Sequence, residues 1–113
     1  MWKTTMHSHA MEVDGRLRTS IEQQMLHALG GLRQHIGHVH VRLYGETGGT
    51  SVCTCYVRVD FVPSGGVALG ETANDPTRAV ARTVARIGVA VRRHLEERQP
   101  AVRNVAATAL TAS

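Results

Sequence analysis

Lysine and aromatic residues are what this chain has least of. Lys3 is the single lysine among 13 basic residues, which leaves 12 arginines. Trp2, Tyr44, Tyr56 and Phe61 are its only aromatics, so a core has to be assembled from Val, Leu, Ile, Met and Ala. Cys53 and Cys55 are the only cysteines. On a strand, residues two apart have Cα atoms about 6.5–7 Å apart and parallel side chains, which does not suit a disulfide. So little cysteine implies a reducing cytoplasm. No apolar run approaches the length of a membrane span, and residues 1–12 lack the apolar stretch of a secretory leader. Nucleophile elbows, phosphate loops, paired carboxylates and Cys/His dyads are missing too, and the nine acids are scattered. These absences point away from an enzyme: no catalytic residue, no cofactor and no small-molecule substrate are expected.

What is present fits one small domain. The 113 residues allow a single core and hardly a second, and 42% hydrophobic content marks a globular chain. We read residues 1–99 as the domain and 100–113, an Ala/Thr/Val-rich stretch, as a flexible tail. The formal net charge is +4. An arginine bias suits phosphate oxygens, which its planar fork of donors matches; a GC-rich coding sequence would produce the same bias.

Periodicity divides the chain into six elements. Residues 2–11 read as a strand with Trp2, Thr4 and Met6 on one face. Asp14 is placed to cap a helix whose apolar stripe is Leu17, Ile21, Met25, Ala28 and Leu32. Gly30 and Gly31 weaken its last turns and Gly37 ends it. In 38–44, Val39, Val41 and Leu43 alternate with His38, His40, Arg42 and Tyr44. After a turn at 45–49, Cys53, Cys55, Val57, Val59 and Phe61 alternate with Thr54, Tyr56, Arg58 and Asp60. A turn at 63–66 leads to a short strand around Val67 and Leu69. Asp75 and Pro76 open the last helix, with Val80, Val84, Ile87, Val91 and Leu95 as its stripe and Pro100 as its stop. The expected fold is α+β in the order β-α-β-β-β-α: a four-stranded mixed sheet with two helices packed on one face.

The last helix carries the sharpest signal. Residues 76–95 contain Arg78, Arg82, Arg86, Arg92 and Arg93 and no acid. At 100° per residue, Arg78, Arg82, Arg86 and Arg93 fall within about 80° of arc, opposite the apolar stripe. Like charges at i,i+4 repel, and solvated faces ordinarily mix both signs; a phosphate-rich partner would offset the repulsion. The uncovered sheet face offers a second basic surface, with Arg42, Arg58, His38 and His40. His7, His9, His38 and His40 have the spacing of strand-borne metal ligands, yet the cysteines belong to the opposite face, so no metal site is expected. Asp60 and Glu71 are candidates to approach each other across the third and fourth strands.

The order of elements resembles a known family. So do His35-Ile36-Gly37-His38-Val39-His40-Val41-Arg42-Leu43 and Cys55-Tyr56-Val57-Arg58-Val59, and the closing helix over 75–97 with Ala79-Val80 and Val91-Arg92-Arg93-His94-Leu95. Over roughly residues 3–98 the chain is similar to the ribosome hibernation-promoting factor / ribosome-associated inhibitor A family, in a divergent short form without the further domain by which long members pair ribosomes. The resemblance implies a cytoplasmic, non-enzymatic protein that binds ribosomal RNA of the small ribosomal subunit in the mRNA and tRNA channel and silences idle ribosomes. A general structured-RNA module, of the layout found in double-stranded-RNA-binding domains, is the alternative.

Overall fold

The computed structural model describes residues 2–45 and 52–98. The elements are β1 (Lys3–His9), α1 (Gly15–Leu29), a 3₁₀ helix (Gly30–His35), β2 (Ile36–Gly45), β3 (Cys53–Phe61), β4 (Gly66–Ala73) and α2 (Pro76–Arg98). The α+β order read from the sequence is the order found. The strands form one sheet in the order β1-β2-β3-β4. β1 runs parallel to β2, and β2–β3 and β3–β4 are antiparallel. A parallel β1–β2 pair needs a crossover, and α1 supplies it.

Local chemistry sets the element ends. The Asp14 side chain accepts from the Leu17 N–H at 2.8 Å, and the Asp75 side chain accepts from the Arg78 N–H at 2.9 Å. Each satisfies one of the N–H groups a helix start leaves unpaired. Gly37 does not end the first helix, as expected above. The α-helix stops at Leu29, tightens into the 3₁₀ helix, and Gly37 lies within β2. Propensity favours the early stop, because Gly30 and Gly31 give up helix stability at successive positions. Gly37 serves packing instead: a Cβ there would stand 2.9 Å from Val62 Cγ1. β1 is shorter than the 2–11 read from the sequence and β4 longer. Gly45 ends β2; the rest of the 45–49 turn, Pro100 and the tail over 100–113 lie outside the described residues.

The core lies between the sheet and the helices. Val39, Val41, Leu43, Val57 and Val59 are almost wholly buried, as are Ile21, Met25, Leu29, Ile87 and Val91 facing them. Each such side chain contributes about 1.5–3 kcal/mol on leaving water. Cys53 and Cys55 are buried among them. Thr83 is the buried polar residue of α2: its hydroxyl donates to the Ala79 carbonyl at 2.8 Å and lies 3.2 Å from that of Cys55. It ties the helix to the middle of β3.

Candidate nucleic-acid interface

Strand alternation leaves one sheet face that neither described helix covers, and the pairing register turns it into a grid. Its rows across β1 to β4 are Lys3–His38–Asp60–Gly66, Thr5–His40–Arg58–Ala68, His7–Arg42–Tyr56–Gly70 and His9–Tyr44–Thr54–Thr72. His38, His40, Arg42 and Arg58 are thus brought together as the sequence suggested. Lys3, His7 and His9 join them, because β1 pairs in parallel; nothing in the local pattern of residues 2–11 could reveal that partner. Three cations, Lys3, Arg42 and Arg58, face one carboxylate, Asp60.

A small network orders the centre of this face. The His38 and His40 rings stack with centroids 3.8 Å apart and planes 7° from parallel. His38 Nε2 is hydrogen-bonded to Thr5 Oγ1 at 2.6 Å. His40 Nε2 donates to Asp60 Oδ2 at 2.9 Å, and Arg58 Nε donates to Asp60 Oδ1 at 2.8 Å. Burial pushes the Asp60 carboxyl up, but the hydrogen bonds from Arg58 and His40 outweigh it and hold it below its usual value. His38 is held below the ordinary histidine value, first by burial and then by its stacked neighbour His40. The cysteines lie on the other, buried face, so no geometry joins them to these histidines.

The arginines of α2 divide into two groups. Arg78, Arg82, Arg86 and Arg93 are exposed, and Arg82, Arg86 and Arg93 border β4, the edge of the sheet. Arg82 donates to the Thr72 carbonyl at 3.4 Å, and Arg86 is paired with Glu71. Arg92 points to the other side, donating to the Ala28 carbonyl at the end of α1 at 3.2 Å and lining a groove of about 500 Å³ between the helices. The helix itself has no acid within the arginine face, but β4 supplies one. Glu71 stands opposite Cys55 and therefore on the helix side of the sheet, while Asp60 is on the uncovered side. The expected approach of Asp60 to Glu71 does not occur: they occupy opposite faces because their positions differ in parity. Arg78 and Arg93 make no side-chain hydrogen bond among the described residues.

Comparison with known proteins gives matches of fold. No family model and no curated protein matches the sequence. The crystal structure of the Thermus thermophilus Protein Y N-terminal domain is 22% identical, with a TM-score of 0.68 over 83% of this chain and 99% of that one. A ribosomal subunit interface protein from Coxiella burnetii is 13% identical, with a TM-score of 0.71 over 81% of this chain and 96% of that one. At these identities the likeness is one of architecture, and it runs nearly end to end through both neighbours.

Proposed function

We propose that this chain is a ribosome-associated protein of the hibernation-promoting factor / ribosome-associated inhibitor A kind. It binds ribosomal RNA of the small subunit in the channel used by mRNA and tRNA, and inhibits translation in idle, stressed cells. The observation that carries this reading is the near-complete fold match to a protein named for the ribosomal subunit interface. Two basic surfaces support it. Arg78, Arg82, Arg86 and Arg93 form one, with Arg92 on the other side of the same helix; Arg42, Arg58, His38 and His40, with Lys3, form the other.

The mechanism is occupancy. A folded basic domain seated among phosphates releases their condensed counterions and blocks whatever shares the site. No proton transfer, cofactor or metal is needed, so the protein is not an enzyme on this reading, and its place is the cytoplasm. Arginines already held by Asp60, Glu71 and the Ala28 carbonyl keep donors to spare, since a guanidinium carries five N–H groups. Their fixed geometry lowers the ordering cost of each phosphate contact.

Co-sedimentation tests the proposal. Purified small subunits should carry the protein into the pellet and large subunits should not, and mRNA with tRNA should displace it. Equal binding to any duplex RNA would overturn it in favour of a general structured-RNA module.

A further inference from the structure

We propose that the sheet around Tyr56 is a stacking platform for an unpaired nucleobase, so that the RNA meeting this face is single-stranded there. The inference rests on the RNA-binding reading above.

Tyr56 stands between Arg42 and Gly70 in its row of the grid. A Cβ added to Gly70 would lie 3.6 Å from Tyr56 Cδ2, so the ring reaches across the bare backbone of β4. Tyr56 is half-buried, with the strand beneath it and no described element above. Beside it, β4 presents Gly66, Ala68 and Gly70 to the uncovered side, with Thr72 one row further on. The result is a trough of about 410 Å³, walled by Tyr56 and Arg58 and floored by Gly66 and Ala68. The floor cannot be raised at Gly66, where a Cβ would stand 2.6 Å from the Val59 carbonyl oxygen.

Arg58 completes the recognition chemistry. Asp60 holds its Nε, which fixes the guanidinium plane and leaves the terminal amines for a phosphate or a base edge. Tyr44 is 39% exposed and lies diagonally across the β2–β3 pair from Tyr56, within reach of the next nucleotide. Aromatic side chains on an open sheet, interleaved with arginine, are suited to bases that have left a helix, because a stacked duplex hides its base faces and offers phosphates and hydroxyls instead.

The test uses a short single-stranded RNA of mixed sequence carrying one aminopurine, and the blunt duplex of the same sequence, with the full chain and ribosome pelleting in parallel. Tyr56→Ala and Tyr56→Val are expected to weaken single-strand binding about 5- to 150-fold. Both should also remove the aminopurine quench, at melting temperatures that show the domain folded. Tyr56→Phe should keep affinity and quench, and the parent should prefer the single strand to the duplex. Parental affinity in the Ala and Val variants, or equal competition by the duplex, overturns the platform. If the parent pellets with ribosomes while those variants bind single strands unchanged, the platform falls and the ribosome reading stands. If the parent ignores ribosomes while the Tyr56 dependence holds, the reverse is true.

Discussion

Reversing one charge on α2 separates a helix surface seen in isolation from the same surface in its fold. Taken alone, Arg86→Glu removes a like-charge neighbour of Arg82 and should stabilise slightly. In the folded protein Arg86 is paired with Glu71, whose side chain is only 24% exposed. The substitution deletes that ion pair, which for an arginine 63% exposed contributes about 0.2–1 kcal/mol after solvent screening. It also sets two carboxylates side by side, at about 1 kcal/mol in water and up to about 4 kcal/mol near a protein surface. With side-chain relaxation the sum is about 1–3 kcal/mol of destabilisation, a fall of about 5–15 °C in Tm for a domain of this size. Arg78→Glu, two turns earlier, should do the opposite, because a carboxylate in the first turn of α2 complements the helix dipole by a few tenths of a kcal/mol. Thermal melts by circular dichroism at low salt decide it, with Arg86→Glu/Glu71→Arg restoring most of the loss. An Arg86→Glu variant that melts like the parent, or a double variant no better than the single, would refute the pairing.

Other expectations follow from the same geometry. Val84→Asp, at a position 6% exposed, puts an unpaired charge into the core and should abolish the cooperative melt; a normal melt would place α2 wrongly. Affinity for ribosomes should fall with a log–log salt slope of about −0.7 to −0.9 per phosphate contact, and a flat dependence would remove the electrostatic basis of the proposed function. Burial pushes the Cys55 thiol up to about 11 and raises Cys53 as well, so iodoacetamide at mildly alkaline pH should label neither until the chain unfolds; rapid native-state labelling would contradict their burial. Because the fold disfavours protonated His38, the unfolded chain binds more protons once the pH drops below the ordinary histidine value. Stability is therefore full above that value and falls on acidification, and His38→Gln should flatten the Tm profile below neutrality; an unchanged slope would place the acid sensitivity elsewhere.

Much of this fold is legible in the sequence, because its signals are local. Alternation in β2 and β3 sorts Val39, Val41 and Leu43 from His38, His40 and Arg42, and Asp14 and Asp75 announce their helices by side-chain chemistry that needs no tertiary context. What was not legible depends on register. The partner of β1 cannot be read from residues 3–9, so only the register puts Lys3, His7 and His9 on the basic face. The parity of β4 is blurred by Gly66, Ala68 and Gly70, which lack the size to show which side they serve, so the pairing of Glu71 with Arg86 rather than an approach to Asp60 is not legible in the sequence. Gly37 reads as a helix stop because glycine has two common uses, and only its tight approach to Val62 shows which applies. Tyr56 reads as an outward residue from alternation alone, but the bare strand beside it shows only in the register.

The two basic surfaces, separable in sequence as alternatives, are neighbours in space. Arg82 reaching the Thr72 carbonyl and Arg86 reaching Glu71 fix the arginine row of α2 on the β4 side of the helix. β4 is the sheet edge, and its opposite side carries the trough at Tyr56 and Arg58. The uncovered side of β4 carries Gly66, Ala68, Gly70 and Thr72, and on its helix side Leu69 borders Arg86 and Arg93. Asp60 and Glu71, one carboxylate on each side of this edge, are each engaged by an arginine, so neither stands as an unpaired negative charge between the two surfaces. The small residues that make β4 weak as a strand signal are also what leaves its uncovered side bare between the two surfaces.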